Sequence, residues 1–320
     1  MSKSLARLAQ ISIALLASSA IGVPIASAEY PDRPVTLIIS SAPSSGGDTN
    51  ARTYMPFLEK CLGVSGVIVN RPGAGGALAH ADLKASAADG YTIGNINLPN
   101  TVAQAIEKGD PPPWETFDYV ANVSSSRVGL HVATDSPFKT FADFLAYSKE
   151  HPKQITLGLS GLGGDDHLTQ LQAIRATGME VTLVPMGDAA TARAAMLGGH
   201  VDALSVAAYE AAQYKDQLRG LWYAAEERNP LVPDVPTLKE LGYDIVGGSN
   251  QVVGAPKGTP PEALEKLRSC YEATFKDPEL VAEAAKRGLP YRYMNAADTE
   301  AYAKAQWTAL ELVWKEFPWK

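Results

Sequence analysis

The sequence predicts an α/β protein of two doubly wound domains joined by a two-strand hinge. Short apolar runs alternate with helix-patterned segments through most of the chain, which means parallel strands and crossover helices. The alternation breaks at Pro111-Pro112-Pro113, restarts, and closes with one more apolar run near residue 250, so the chain leaves its first half near residue 130 and returns later. About 290 residues are also too many for one ordinary core.

Those 290 residues follow an export signal. Lys3 and Arg7 give a basic start, Ile11 to Ile25 is apolar, and Ala26-Ser27-Ala28 offers the small residues a signal peptidase needs. The apolar stretch is short of the roughly 20 residues of a membrane span. The expectation is cleavage after Ala28, a mature chain beginning at Glu29, and a periplasmic location. Cleavage removes two positive charges and no acids, taking the formal charge from −7 to −9. A chain this acidic, without a Lys/Arg stripe, is a poor partner for nucleic acid or an anionic membrane.

The elements follow in order. Val35 to Ile39 is a buried strand; Ala42 to Gly47 is a loop, and Asp48 is placed to cap a helix reaching about Leu62, with Pro56 arguing for a kink or break inside it. Gly66 to Asn70 is a strand, Pro72 to Gly76 a turn, Ala77 to Ala88 a helix, and Tyr91 to Ile96 a third strand. After the prolines come Tyr119 to Val123 and Val128 to Ala133, then helix Phe141 to Lys149, strand Ile155 to Leu159, and turn Ser160 to Gly164 leading to a helix capped by Asp165 or Asp166. Strand Val181 to Val184, a helix capped by Asp188, and strands Val201 to Val206 and Leu218 to Ala224 complete the second half; Val252 to Ala255 returns, and polar helices finish the chain. The expected division is 29–130 with 250–320 for one domain and 131–249 for the other.

One feature recurs: a strand runs into a small-residue turn and then into a helix capped by Asp, at Ser44–Asp48, Gly163–Asp166 and Met186–Asp188. Glycine and serine let a ligand approach the backbone, and the helix beyond aims unpaired N–H groups and its positive dipole end at that point. Such a turn holds carboxylate or phosphate without a charged side chain. Strand-to-helix turns of any α/β protein share this composition, so both readings stay open. The candidate ligand-binding residues are Ser41, Pro43, Ser44, Ser45, Gly46, Gly47 and Asp48 in the first loop, Gly163, Gly164, Asp165, Asp166 and His167 in the second, and Met186, Gly187 and Asp188 in the third. Asn97, Asn250 and Gln251 join them by position, at strand ends facing the expected cleft.

Enzyme signatures are thin. Gly158-Leu159-Ser160-Gly161-Leu162 resembles a nucleophile elbow but has Leu where the last glycine belongs. Pro72 to Leu78 resembles a dinucleotide fingerprint but carries Leu78 in the sixth place. His80, His131, His151, His167 and His200 form no pairs at ligand spacing, and two cysteines without such histidines make no metal site. The expectation is no catalytic residue, no metal and no cofactor. Cys61 and Cys270 leave a disulfide and two buried thiols as equal alternatives.

Several segments together resemble one family. Tyr30-Pro31-Asp32-Arg33-Pro34-Val35, Ala42-Pro43 with Gly46-Gly47-Asp48 and Ala51-Arg52, and Asn70-Arg71-Pro72-Gly73-Ala74-Gly75-Gly76 look like the first domain of the substrate-binding proteins of tripartite tricarboxylate transporters, the Bug family. Asp89-Gly90-Tyr91-Thr92, Leu197 to Asp202, Pro233-Asp234-Val235-Pro236-Thr237 and Ala255 to Pro260 continue the likeness in order across nearly the whole mature chain.

The resemblance implies a type II periplasmic-binding-protein fold that closes like a flytrap on a carboxylate, held by backbone amides of the first-domain loop, here Ala42 to Asp48. It implies membrane permease subunits as partners and a monomer in solution. The second-domain loop, usually Gly-Ser-Ala-Ser-His-Leu, falls on Gly163-Gly164-Asp165-Asp166-His167-Leu168, and a loop usually Tyr-Lys-Gly falls on Met186-Gly187-Asp188. Ser44 and Ser45 replace glycines, Asp165 and Asp166 replace small residues, and Met186 and Gly187 remove an aromatic and a basic residue. Ser249-Asn250-Gln251 stand where the family more often has an aromatic. The expectation is an anion at the first-domain end and an altered second end that takes a hydroxyl, amino or apolar group; alternatively, Asp165 and Asp166 only cap a helix. A solute receptor for a transporter leads; a ligand-presenting sensor for a membrane kinase is the alternative, and a hydrolase with Ser160 and His167 is a remote third.

Overall fold

A computed structural model of the protein describes residues 30–319, so the export signal and its cleavage site lie outside the described residues. In chain order the first half runs β1 (Val35–Ile39), α1 (Gly46–Leu62), β2 (Gly66–Asn70), α2 (Ala77–Ala85), β3 (Thr92–Leu98), α3 (Asn100–Lys108), α4 (Pro113–Thr116) and β4 (Phe117–Ser126). The second part runs β5 (Val128–Ala133), α5 (Phe141–Glu150), β6 (Ile155–Leu159), α6 (Asp165–Thr177), β7 (Val181–Pro185), α7 (Ala189–Leu197), β8 (Ala203–Ala207), α8 (Ala208–Gln213) and β9 (Leu218–Tyr223). The chain ends with β10 (Ser249–Pro256), α9 (Pro261–Lys276), α10 (Pro278–Arg287), β11 (Tyr291–Asn295) and α11 (Ala296–Glu316).

The strands form two sheets of one plan. The first has the order β11-β4-β10-β3-β1-β2 and the second β7-β6-β8-β5-β9. In each, three parallel strands (β2-β1-β3 and β7-β6-β8) meet an antiparallel strand that has crossed from the other half, β10 in the first sheet and β5 in the second. Only Arg127 separates β4 from β5, and β10 begins directly after Gly248. These two crossings make the hinge of a two-domain type II fold, as the sequence predicts.

Each sheet buries its own core. Leu37 and Ile39 of β1 pack beneath α1 and α9 through Tyr54, Leu58, Leu267 and Tyr271, all nearly inaccessible. Phe141, Phe144, Leu157 and Trp222 fill the second core. Cys61 at the end of α1 and Cys270 in α9 are joined, Cα–Cα 5.5 Å across 209 residues of sequence, which settles the open alternative in favour of the disulfide. The last helix, α11, ties the halves: it lies on α3 and β4 and also on α6, where Glu316 pairs with Arg175 at 2.9 Å.

Several local expectations change. Helix α1 runs unbroken through Pro56, because Pro56 faces solvent while Tyr54, Met55 and Leu58 hold both turns on the sheet. Asp48 does not cap α1, nor do Asp165 and Asp166 cap α6; the N-cap residues are Ser45 and Gly164, and the acids stand inside the first turn. Asp188 does cap α7, accepting from Thr191 N at 2.7 Å. Helices α3 and α8 and strand β11 are additional to the sequence reading.

Candidate ligand cleft between the two sheets

A cleft of about 490 Å³ opens where the two halves face each other. It lies beyond the carboxyl ends of the parallel strands, the expected place in such sheets. The first half contributes Gly46, Gly47 and Asn50 of α1, Ser124 and Ser126 of β4, Ser249 and Gln251 of β10, and the segment Arg287 to Pro290. The second contributes Ser160, Asp165 and Asp166, Ala189, the stretch Ser205 to Ala207, and Tyr209, Glu210 and Gln213 of α8.

On the first wall, the loop is held by one buried carboxylate. Asp48 reaches back to accept from Ser44 N at 2.9 Å, and it also accepts from Arg52 Nε at 2.9 Å and Asn70 Nδ2 at 3.0 Å. These hydrogen bonds, Arg52's first, hold the Asp48 carboxyl well below the usual carboxylate range. The anchored loop keeps Ser44 at φ 65°, a left-handed conformation unusual for a residue with a Cβ. A Cβ on Gly47 would stand 2.1 Å from Ser41 Oγ, so a larger residue there would have to displace the Ser41 side chain. The first backbone N–H groups of a helix have no intrahelical partner; here those of Gly46 and Gly47 belong to residues on the cleft wall, beside a carboxylate already neutralised by Arg52.

The second wall is built alike but charged differently. Asp166 Oδ2 accepts from Ser160 N at 2.6 Å, and Oδ1 accepts from Ser160 Oγ at 2.8 Å and from His167 N at 2.9 Å. Gly163 N–H donates to His167 Nδ1 at 2.9 Å, and burial lowers the imidazole pKa despite the opposing pull of Asp166. The N-terminus of α6 therefore satisfies itself, with no basic partner at hand like Arg52. Asp165 accepts only from backbone N–H groups of its own turn; burial first, then the charge of Asp166, push its carboxyl up to about 7. Glu210 adds a further acid, paired with Arg193 at 3.5 Å.

Of the sequence-predicted residues, Gly46, Gly47, Asp165 and Asp166 line the cleft together, as does Gln251. Ser41 supports Gly47 from behind, Asp48, Gly163, Gly164 and His167 stand in the two loops, and Pro43, Ser44 and Ser45 lie at the outer edge of the first. Met186 turns into the apolar cluster around Met196, Gly187 is exposed, and Asp188 spends its carboxylate on α7. Asn97 is bonded to Ser40 Oγ at 3.1 Å. Asn250 is fully buried in the hinge, accepting from Ser125 Oγ at 2.6 Å and Arg127 Nη1 at 3.4 Å. The sequence reading missed Asn50, Ser124, Ser126, Ser205, Glu210 and Arg287. The run Ser124-Ser125-Ser126 at a strand end entering the hinge is the signal that could have revealed two of them.

Fold and cleft together define a two-domain solute-binding protein. Residues 51–316 match the family described as the tripartite tricarboxylate transporter family receptor, and the chain belongs to that family, the TctC or Bug substrate-binding proteins. It is 33% identical over 278 residues to a Cupriavidus necator protein encoded in the gbd 5′ region, covering 86% of this chain and 84% of that protein. It is 29% identical over 280 residues to Bordetella pertussis BugT, covering 85% and 86%. Among solved structures, a TctC solute-binding protein from Polaromonas superposes with a TM-score of 0.83 at 27% identity, over 90% of this chain and 100% of that one. MatC of Rhodopseudomonas palustris, solved with malate, superposes at 0.69 with 26% identity over 89% and 99%; a second protein of that species, solved with adipate, superposes at 0.68 with 25% identity over 89% and 97%.

Proposed function

We propose that this protein captures a small carboxylate-bearing solute in the periplasm and delivers it to the permease subunits of a tripartite tricarboxylate-type transporter. The first N–H groups of α1, at Gly46 and Gly47 on the cleft wall, carry the reading. A helix N-terminus attracts an anion, and the nearest carboxylate, Asp48, is matched by Arg52. The relatives solved with malate and adipate support the same ligand class. Residues up to 126, with those from 249 on, would form one closing jaw and 128–248 the other, after loss of the first 28 residues; the division expected after residue 130 moves back to Arg127 because all of β5 lies in the second sheet. Among the described residues no helix is long and apolar enough to cross a membrane.

Binding, not turnover, fits the loop chemistry. Ser160 Oγ donates to Asp166, and the His167 Nδ1 lone pair is taken by Gly163 N–H, so this serine and histidine are not arranged as nucleophile and base. A thermal-shift screen of the mature chain against mono-, di- and tricarboxylates and amino acids tests the reading. A ligand at about 100 times its Kd adds roughly 2.7 kcal/mol, a shift of several degrees. No shift from any carboxylate would sink it.

A further inference from the structure

The second crossing of the chain is gripped from both sides. Val246 to Gly248 leads from the second half into β10, and α6 holds it through Thr169 Oγ1, which accepts from Gly248 N–H at 3.0 Å. From the other side Gln306 of α11, a helix of the first half, donates through Nε2 to Val246 O at 3.0 Å. Space is closed as well. A Cβ on Gly247 would stand 2.4 Å from Thr169 Cγ2, and one on Gly248 2.2 Å from Ser126 O. The crossing has no slack to bend alone, so a change in its torsions has to move α6 or α11.

Those two helices are also packed on each other. Leu168 and Leu171 of α6, almost inaccessible, share one apolar cluster with Ala303, Leu310 and Val313 of α11 and with Trp319 beyond its end. Beside them Gln172 Nε2 donates to Gln306 Oε1 at 3.5 Å, both residues buried. Trp319 continues to the loop before α6, with its Cδ1 3.8 Å from where a Cβ on Gly163 would stand. At the exposed edge the contact is ionic, Arg175 to Glu316 at 2.9 Å.

We infer that α11 is the third element of the hinge: the halves close by α6 rolling on α11, and this contact persists while the mouth of the cleft narrows. The inference rests on the reading of the cleft as one that closes on a solute, and it specifies the axis. An axis of closure has to pass near both crossings, and points on it move least. Thr169 and Gln306 both touch the second crossing, which puts the α6–α11 contact at that axis. Parting the helices would return the faces of Leu168 and Leu171 to water, against the hydrophobic effect. Small sliding of packed helices is instead an ordinary form of domain closure. The alternative, a latch behind the hinge that opens as the cleft shuts, needs this apolar contact broken in the bound protein.

The test bridges the contact. Arg175→Cys with Glu316→Cys places two thiols at the exposed ion pair, and Cys61 and Cys270 are already joined, so among the described residues no native thiol competes. The variant is measured before and after reaction with a bis-maleimide that spans the pair, with malate, adipate, citrate and benzoate as the acids tried. Calorimetry reads affinity and small-angle scattering reads closure. The inference expects affinity within about threefold, and the same ligand-induced compaction, in bridged and unbridged protein. In the wild type, where no variant has to fold, hydrogen exchange along α6 (Asp165–Thr177) should not quicken on binding. Loss of binding or of compaction on bridging, or faster exchange in α6 with ligand, overturns the inference. Binding without compaction in either form overturns it too and leaves the carboxylate reading standing. Silence from all four acids in the wild type counts against the carboxylate reading itself and takes this inference with it.

Discussion

A Cβ on Gly248 would stand 2.2 Å from the carbonyl oxygen of Ser126, at the point where the two crossings of the chain pass each other. Gly248 has φ 103°, and its N–H donates to Thr169 Oγ1 at 3.0 Å, so both its conformation and its space are set by its neighbours. Buried beside it, Arg127 reaches Glu226 at 3.3 Å, and Glu226 also meets Arg292 at 3.3 Å. The hinge is a tight backbone contact locked by ion pairs.

Gly248→Ala is therefore expected to destabilise the protein by about 3 kcal/mol or more, the sum of overpacking and a left-handed backbone bearing a Cβ. Urea unfolding measures it. A midpoint equal to that of the wild type would contradict the hinge geometry described.

The disulfide makes a second prediction. Joining Cys61 to Cys270 closes a loop of 209 residues and clamps α1 to α9 over the first core. Replacing both cysteines with serine is expected to cost about 2–5 kcal/mol. Thermal unfolding of the wild type with and without reductant should show the same loss.

Asp165 links stability to pH. Its folded-state pKa, about 7, lies above the ordinary 3.8, so the folded protein holds a proton that the unfolded chain releases between these values. Stability from this group thus falls as pH rises from about 4 to about 7. Asp165→Asn cannot ionise. It should melt at least about 2 °C above the wild type at pH 8, with the difference vanishing near pH 4. A constant difference across that range would assign the effect to something other than ionisation.

Asp48 behaves in the opposite sense, because its carboxyl is held low and its stabilisation is lost only in strong acid. Asp48→Ala leaves Ser44 N, Arg52 and Asn70 without their shared acceptor. A loss of about 1–3 kcal/mol is expected, together with weaker carboxylate binding as the Gly46–Gly47 turn loosens. Calorimetric unfolding and ligand titration of the same variant read both effects.

Much of the fold was legible in the sequence because β1, β2 and β6 are mostly apolar, β-branched runs leading into glycine-containing turns, and β10 stands alone late in the chain. β11 was not, because Tyr291 to Asn295 mixes polar with aromatic residues at an edge and pairs irregularly with β4. Two loops of the cleft could be read from Gly47 and Asp165. Their chemistry could not: an early Asp looks like a cap in sequence, whereas Asp48 and Asp166 reach back to tie the loops that precede them. Nor could sequence bring Ser124, Glu210 and Arg287 to one cavity, since they meet only because the chain crosses twice.

The most direct test of the central claim is a crystal structure of the protein with whichever carboxylate gives the largest thermal shift. The account predicts a carboxylate oxygen within about 2.7–3.2 Å of the Gly46 or Gly47 nitrogen. A ligand whose carboxylate sits instead against Asp165, or outside the cleft, would contradict it.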